Sequence, residues 1–198
     1  MDVIEAIKTR RSNGQVIADE PIDKDVIEEL LEAGSWAPTH HRTDPWRFHV
    51  FMGEGRKRLA TAMAEGAKTN LKELYPDNVE EKAQKLYHKA FRAPVIIAIW
   101  TAAGRGLHKN PPVWEDHAAV AAAAQNISLA AHAKGLGCIW RSGPAAQWPE
   151  VESELGLDTN KGDRIMGFLY IGHKNPDKNE PLRPTPKWQE RTVWVITD

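Results

Sequence analysis

Residues Asp116–Lys134 are dominated by alanine, and that run constrains the fold more than any other stretch of the chain. Alanine is the best helix former because its side chain has no rotamer freedom to lose. At about 1.5 Å per residue the predicted helix is about 28 Å long, enough to cross a small domain. Its small side chains let another helix approach closely, as a central or dimer-interface helix requires. Gly135-Leu136-Gly137 ends it, and Cys138–Arg141 then reads as a strand.

Other elements follow from hydrophobic periodicity. Asp2–Arg10 reads as a short amphipathic helix with Val3, Ile4 and Ile7 on one face. Asp23 is the expected N-cap of a second helix, with Ile22 and Ile27 as a hydrophobic staple and Gly34 as its stop signal. Trp46, Phe48, Val50 and Met52 alternate, which predicts a strand over Trp46–Met52 with Trp46 in the core. Arg56–Ala64 and Val79–Ala90 read as helices, the second so polar that it belongs outside the core. Pro94–Trp100 has the continuous apolar character of a buried strand, and Gly104–Pro112 is a loop. A short helix over Pro149–Leu155 and a strand over Ile165–Ile171 complete the body. The tail Lys174–Lys187 is rich in proline and charge, and Thr192–Ile196 returns to strand character.

Neither an internal repeat nor a linker of domain-boundary type interrupts the sequence. Helices and strands mix without a regular βαβ rhythm, which predicts a single α+β domain, residues 1–198, with an extended C-terminal arm. Net charge is −1, which argues against a nucleic-acid binder relying on bulk positive charge. The longest apolar runs, Pro94–Trp100 and Ala118–Ala124, are too short to span a bilayer. The N-terminus carries Asp2, Glu5, Lys8 and Arg10 and so has no signal-peptide core. One cysteine, Cys138, allows no intrachain disulfide framework and no cysteine-cluster metal site. A soluble protein of the reducing cytoplasm is the expectation. Eight tryptophans stand out, because large amphipathic rings favour interfaces and pockets for flat ligands.

Several familiar sites are excluded. Gly53-Glu54-Gly55, Gly104-Arg105-Gly106 and Gly135-Leu136-Gly137 each lack the third glycine of a dinucleotide fingerprint, and no P-loop lysine motif occurs. No helical histidine pair of metal-binding spacing is present, and adjacent His40-His41 are expected to point in different directions. Glu115-Asp116-His117 reads as capping at the start of the long helix rather than as a metal site. Ser142 lies in Arg-Ser-Gly-Pro, not in a nucleophile elbow.

Arg10-Arg11-Ser12 remains. Two guanidinium forks and a hydroxyl at a helix end can hold a doubly charged phosphate. Arginines also offset the negative end of a helix dipole, and taken alone the triplet favours that plainer role. The neighbouring segments change the balance. Thr9-Arg10-Arg11-Ser12, Ala37-Pro38-Thr39-His40 leading to Pro45-Trp46-Arg47-Phe48, Gly135-Leu136-Gly137 leading to Trp140-Arg141-Ser142-Gly143, and Gly167–Gly172 stand in one order. In that order and spacing the chain resembles the FMN-dependent nitroreductase family, nearest its small single-domain NAD(P)H branch with a Trp-Arg-Ser-Gly segment.

The resemblance implies a nitroreductase-like fold: a central, mainly antiparallel sheet flanked by helices, with a long helix at the dimer interface. It implies a homodimer with two FMN sites between subunits. Arg10 and Ser12 would hold the phosphate and ribityl chain, and Arg11 would add a charge or a pyrimidine-side contact. Trp140, Arg141 and Ser142 would lie along the flavin, while Trp36 and His40 would reach the flavin or substrate space from the partner subunit. Read on their own, Trp140 also suits a core strand position and His40 a loop cap. Arg42 and Asp44 depart from the Asn and Gln common in the family before Pro-Trp, so no flavin contact is assigned to Arg42, Thr43 or Asp44. A further basic residue near the C-terminus often completes the phosphate end; Lys174, Lys178 and Arg183 are all available.

The implied chemistry is hydride transfer from NADH or NADPH through FMN to nitroaromatic, quinone-like or other flat electron-poor acceptors, in a ping-pong course. No side-chain nucleophile, acid–base pair or metal is called for, and no nucleic acid or membrane partner. The alternatives are a non-catalytic FMN storage or sensor protein, and a flavoenzyme for one metabolite with nitro reduction as a side activity.

Overall fold

A computed structural model describes residues 1–104 and 111–197. Along the chain lie α1 (Val3–Thr9), α2 (Lys24–Ser35), β1 (Trp46–Met52), α3 (Arg56–Asn70), α4 (Val79–Lys89), β2 (Val95–Thr101), α5 (Val113–Ala133), β3 (Leu136–Arg141), α6 (Pro149–Glu154) and β4 (Arg164–His173). The strands form one antiparallel sheet in the order β1-β2-β4-β3. Helices cover both faces, as an α+β fold with a flanked sheet requires.

β2 accounts for the two-sided architecture. Its register sends Val95, Ile97 and Ile99 to one face and Ile96, Ala98 and Trp100 to the other. Side chains alternate along a strand, so a strand buried on both faces must be apolar throughout. The first set packs against α2 and α5 through Ile27, Leu30, Val120 and Ile127. The second packs against α3 and α6 through Leu59, Met63, Val151 and Leu155. α4 adds only Ala83 to the core, in keeping with its polar sequence.

α5 has 21 residues and so spans about 31 Å. It starts at Val113, earlier than the acidic residues suggested, so Glu115 and Asp116 sit inside its first turn. Gly135, at φ +79°, supplies the left-handed turn after its last residues. Gly34 lies inside α2 rather than after it. A Cβ there would meet Ile127 Cγ1 at 2.8 Å, so this glycine lets α2 and α5 touch rather than stopping a helix. Asp23 occupies the N-cap position of α2 without a side-chain cap bond, leaving buried Ile22 and Ile27 to fix the entry. The loop expected over Gly104–Pro112 falls largely on residues 105–110, outside the described residues.

One expectation fails. Thr192–Ile196 forms no strand; among the described residues no strand pairs with it, and extended backbone without a ladder is not a sheet. The expected first helix forms as α1, and its apolar face stays outside the core: Val3, Ile4 and Ile7 are at least half exposed, and only Ala6 is buried.

Candidate functional site

The N-terminal segment reaches the sheet by way of a well-capped α1. The Asp2 carboxylate accepts from the backbone N–H groups of Ile4 (2.8 Å) and Glu5 (3.0 Å), which fixes the start of the helix. The helix ends at Arg10, whose ψ of 134° turns the chain into an extended run. That run lies along the sheet edge: Asn13 N–H donates to the Cys138 carbonyl (2.9 Å) and Ile17 N–H to that of His173 (2.9 Å). Gly137 permits this approach, because a Cβ there would meet Val16 Cγ1 at 2.6 Å. The Gly-Leu-Gly segment therefore serves packing of the N-terminal loop on β3.

The three residues of the triplet part ways. Arg11 Nη1 donates to the Lys8 carbonyl (2.8 Å) and the Arg10 carbonyl (3.0 Å), capping the end of α1. Arg11 thus takes up the plain helix-end role. The Nε of Arg10 is buried and has no hydrogen-bond partner among the described residues. Burial, with the like charges of Arg183 and Arg11 and against the opposing effect of Cys138, lowers this guanidinium below its ordinary value. A partly buried cation beside two others, with a donor unused, suits an anion. Ser12 is exposed next to it. Among the three C-terminal candidates, Arg183 is the one whose charge acts on Arg10, while Lys174 is paired with Glu180.

The Trp140–Ser142 segment is neighbour to this loop. Arg141 Nη2 lies 3.3 Å from where a Cβ on Gly14 would stand. Trp140 sits on edge strand β3, 38% exposed, with its Nε1–H donating to the Met166 carbonyl at 3.1 Å. The indole is therefore an anchored, open surface rather than a core residue. Arg141 and Ser142 line a cavity of about 930 Å³ on the α4 side of the sheet.

Trp36 and His40 are held elsewhere. Trp36 follows α2 and is 80% exposed. His40 Nδ1 bonds the Glu115 carboxylate near the start of α5. The Arg10 end of α1 lies near the other end of that helix, where Thr9 Oγ1 bonds His132 Nε2 at 2.8 Å. From Glu115 to His132 is about 25 Å of helix at 1.5 Å per residue. One chain therefore does not bring His40 to Arg10. The expectation that His40 and His41 diverge is corrected: their rings stack at 3.9 Å, because His41 adopts φ +54° and folds back. Arg42 and Asp44 also have positive φ, a strained run for residues with side chains. Buried Asp116 holds it, accepting from Thr43 Oγ1 (2.8 Å) and from Gly104 N–H (3.1 Å). The acidic pair sits in the first turn of α5, where the helix dipole favours it, and also clamps this loop.

This fold and residue order have counterparts. A family model described as the Nitroreductase family matches residues 7–173. The chain belongs to the nitroreductase family. Over 172 residues this nitroreductase is 34% identical to an Escherichia coli K12 protein named "Putative NAD(P)H nitroreductase YdjA", covering 87% of this chain and 88% of that one. The nitroreductase-like family protein of Bacillus cereus superposes with a TM-score of 0.79 at 28% identity, over 100% of this chain and 97% of that one. A Desulfovibrio desulfuricans protein solved in complex with FMN superposes with a TM-score of 0.72 at 25% identity, over 100% and 99%.

Two features of this nitroreductase escaped sequence reasoning. Asp116 was visible only as an acidic helix start, since its loop partners are distant in sequence. Lys82, Lys85 and Lys89 recur at helical spacing along α4 and line the cavity with Arg92. That basic stripe was readable but passed for a solvated face.

Proposed function

We propose that this nitroreductase is an FMN-dependent oxidoreductase that takes hydride from NADH or NADPH and passes it to a flat electron-poor acceptor, nitroaromatic or quinone-like, in a ping-pong course. It works as a cytoplasmic homodimer of one-domain chains. The observation that carries this reading is the Arg10 cluster. Its unused Nε donor and the adjacent charges of Arg11 and Arg183 suit a doubly charged phosphate, and the Ser12 hydroxyl stands beside them. The anchored indole of Trp140, with Arg141 and Ser142, offers a flat surface and donors one step along β3. The FMN-bound relative supports the same cofactor.

When bound, FMN supplies the hydride-transfer chemistry, so the protein needs only to bind, orient and exclude. Arg10 and Ser12 hold the phosphate, and Arg141 and Ser142 orient the ring system. His40 comes from the second subunit, because α5 keeps it about 25 Å from Arg10 within one chain, and exposed Trp36 comes with it. The exposed apolar face of α1 and the uncovered tail residues Val193, Trp194, Val195 and Ile196 are suited to that second copy. Cys138 is buried and its thiol is pushed up to about 11 by burial, so it stays a neutral packing group rather than a reactive one.

The purified protein should be yellow, or become so on adding FMN. Its visible flavin absorbance should bleach on anaerobic addition of NADH or NADPH and return on adding a quinone. A protein that never takes up FMN contradicts the reading. A bound flavin that neither nucleotide reduces points to storage or sensing instead.

A further inference from the structure

The cavity between α4 and the end of β3 has a chemistry that hydride transfer alone does not call for. Its volume of about 930 Å³ falls in the range of small-molecule sites. Buried Phe168, Tyr170 and Trp148 form an aromatic wall. Half-buried Lys89 and exposed Arg92 and Arg141 face it, and among the described residues none of the three side chains has a hydrogen-bond or ion-pair partner. Among the described residues that line it there is no Asp or Glu. Three unpaired cations in one hollow are not a by-product of overall charge, since the chain carries a net −1.

The neighbouring groups agree. Burial, then the charges of Arg92 and Arg141, lower the Lys89 ammonium from its ordinary value. The other basic groups in the lining are engaged: Lys82 stands over the Tyr75 ring at 4.4 Å, and Lys85 pairs with Glu81. The phenol of Tyr170, on the buried wall, has no hydrogen-bond partner among the described residues and adds a neutral donor. Arg141 reaches from this hollow to the N-terminal loop, and Ser142 belongs to the segment assigned to the flavin.

We infer that this cavity recognises an aromatic carboxylate, with the ring against Tyr170 and Trp148 and the carboxylate between Lys89, Arg92 and Arg141, so that the acceptor is a planar aromatic acid. This rests on the flavoenzyme reading, because an acceptor held here needs a reducing group near the Trp140–Ser142 segment. Planar carboxylate and guanidinium forks match in geometry, and aromatic walls take a ring better than a bare phosphate. A neutral ring in the same place makes no use of the cations, so the site favours the acid over it.

The test separates binding from turnover. Benzoate, which is not reducible here, is titrated by calorimetry into wild type, Lys89→Gln, Arg92→Gln and the exposed control Lys72→Gln, with FMN content measured on each. Benzoate binding should weaken about tenfold or more in the two cavity variants and stay within about twofold in the control, as loss of a charge-assisted contact requires. In turnover, the ratio of kcat/KM for 4-nitrobenzoate over nitrobenzene should fall by a similar factor. Equal benzoate binding in all four proteins overturns the inference. So does a fall in kcat/KM for NADPH or NADH in place of the acceptor ratio, which assigns the cations to the reductant's phosphates. Loss of FMN in the cavity variants overturns it as well, because the cations then serve the cofactor. A protein without any flavin defeats the functional reading, while the benzoate titration still decides the site.

Discussion

Arg10 and Arg56 illustrate how little residue type alone says about role. Both are arginines at helix ends, yet Arg56 donates to the carbonyls of Gly53 (3.1 Å), Ala18 (3.3 Å) and Ala93 (2.8 Å) and stands over the Phe91 ring. Arg10 leaves its buried Nε without a partner among the described residues. Arg56→Ala should therefore lower folding stability, by about 1.5–3 kcal/mol or more because several charge-assisted bonds are lost, as read by urea denaturation. An unchanged midpoint would count against the role assigned to Arg56. A third residue ties stability to pH. Burial lowers the His49 imidazole below its ordinary value, despite the opposing pull of Glu154, and its Nδ1 accepts from Trp100 Nε1–H at 3.0 Å. The unfolded chain protonates near pH 6.5 and the folded one resists, so stability is lost as pH falls below about 6.5. His117 and His132 shift the same way and add to the slope. His49→Gln keeps an acceptor without a titration, so its melting temperature should fall less steeply than wild type between about pH 7.5 and 5.5. Parallel curves would remove His49 from that account.

At the scale of elements, the sequence was legible wherever one element sets its own environment. β2 reads as buried on both faces because every position is apolar, and α5 reads as a helix because alanine leaves no other strong preference. What a second element decides was not legible. Gly34 reads as a stop in isolation, but its contact with Ile127 comes from a helix about ninety positions later in the chain. Gly34→Ala gains about 0.5–1 kcal/mol of helix propensity and loses about 1–3 kcal/mol to overpacking, so the variant should be net destabilised on denaturation. A stabilised variant would show that Ile127 yields freely. The same limit explains Thr192–Ile196, whose strand-like composition has no partner strand among the described residues of its own chain. The motifs at Arg10–Ser12 and Trp140–Ser142 were legible as neighbours only through the family order. Their physical junction, Gly137 beneath Val16, depends on tertiary contact.

Across the whole molecule, α5 acts as a ruler that sets the two halves of the proposed site apart. Thr9 and Arg10 stand at one end, and His40 is held at the start of the helix. A single copy leaves the α1 face and several tail residues uncovered, which is a large apolar surface for an isolated chain. Val3→Glu, on that face and about 10 Å of helix from Arg10, should convert the proposed dimer to a monomer on size exclusion and lose FMN with it. A monomeric variant that keeps its flavin would contradict a shared site. The central claim is that Arg10 holds the cofactor's phosphate. It is tested most directly by titrating FMN into flavin-stripped wild type, Arg10→Ala and Lys72→Ala, followed by quenching of flavin fluorescence. Arg10→Ala should bind FMN about ten- to a hundredfold more weakly than wild type, and Lys72→Ala within about twofold. Equal FMN affinity in all three proteins would contradict the account.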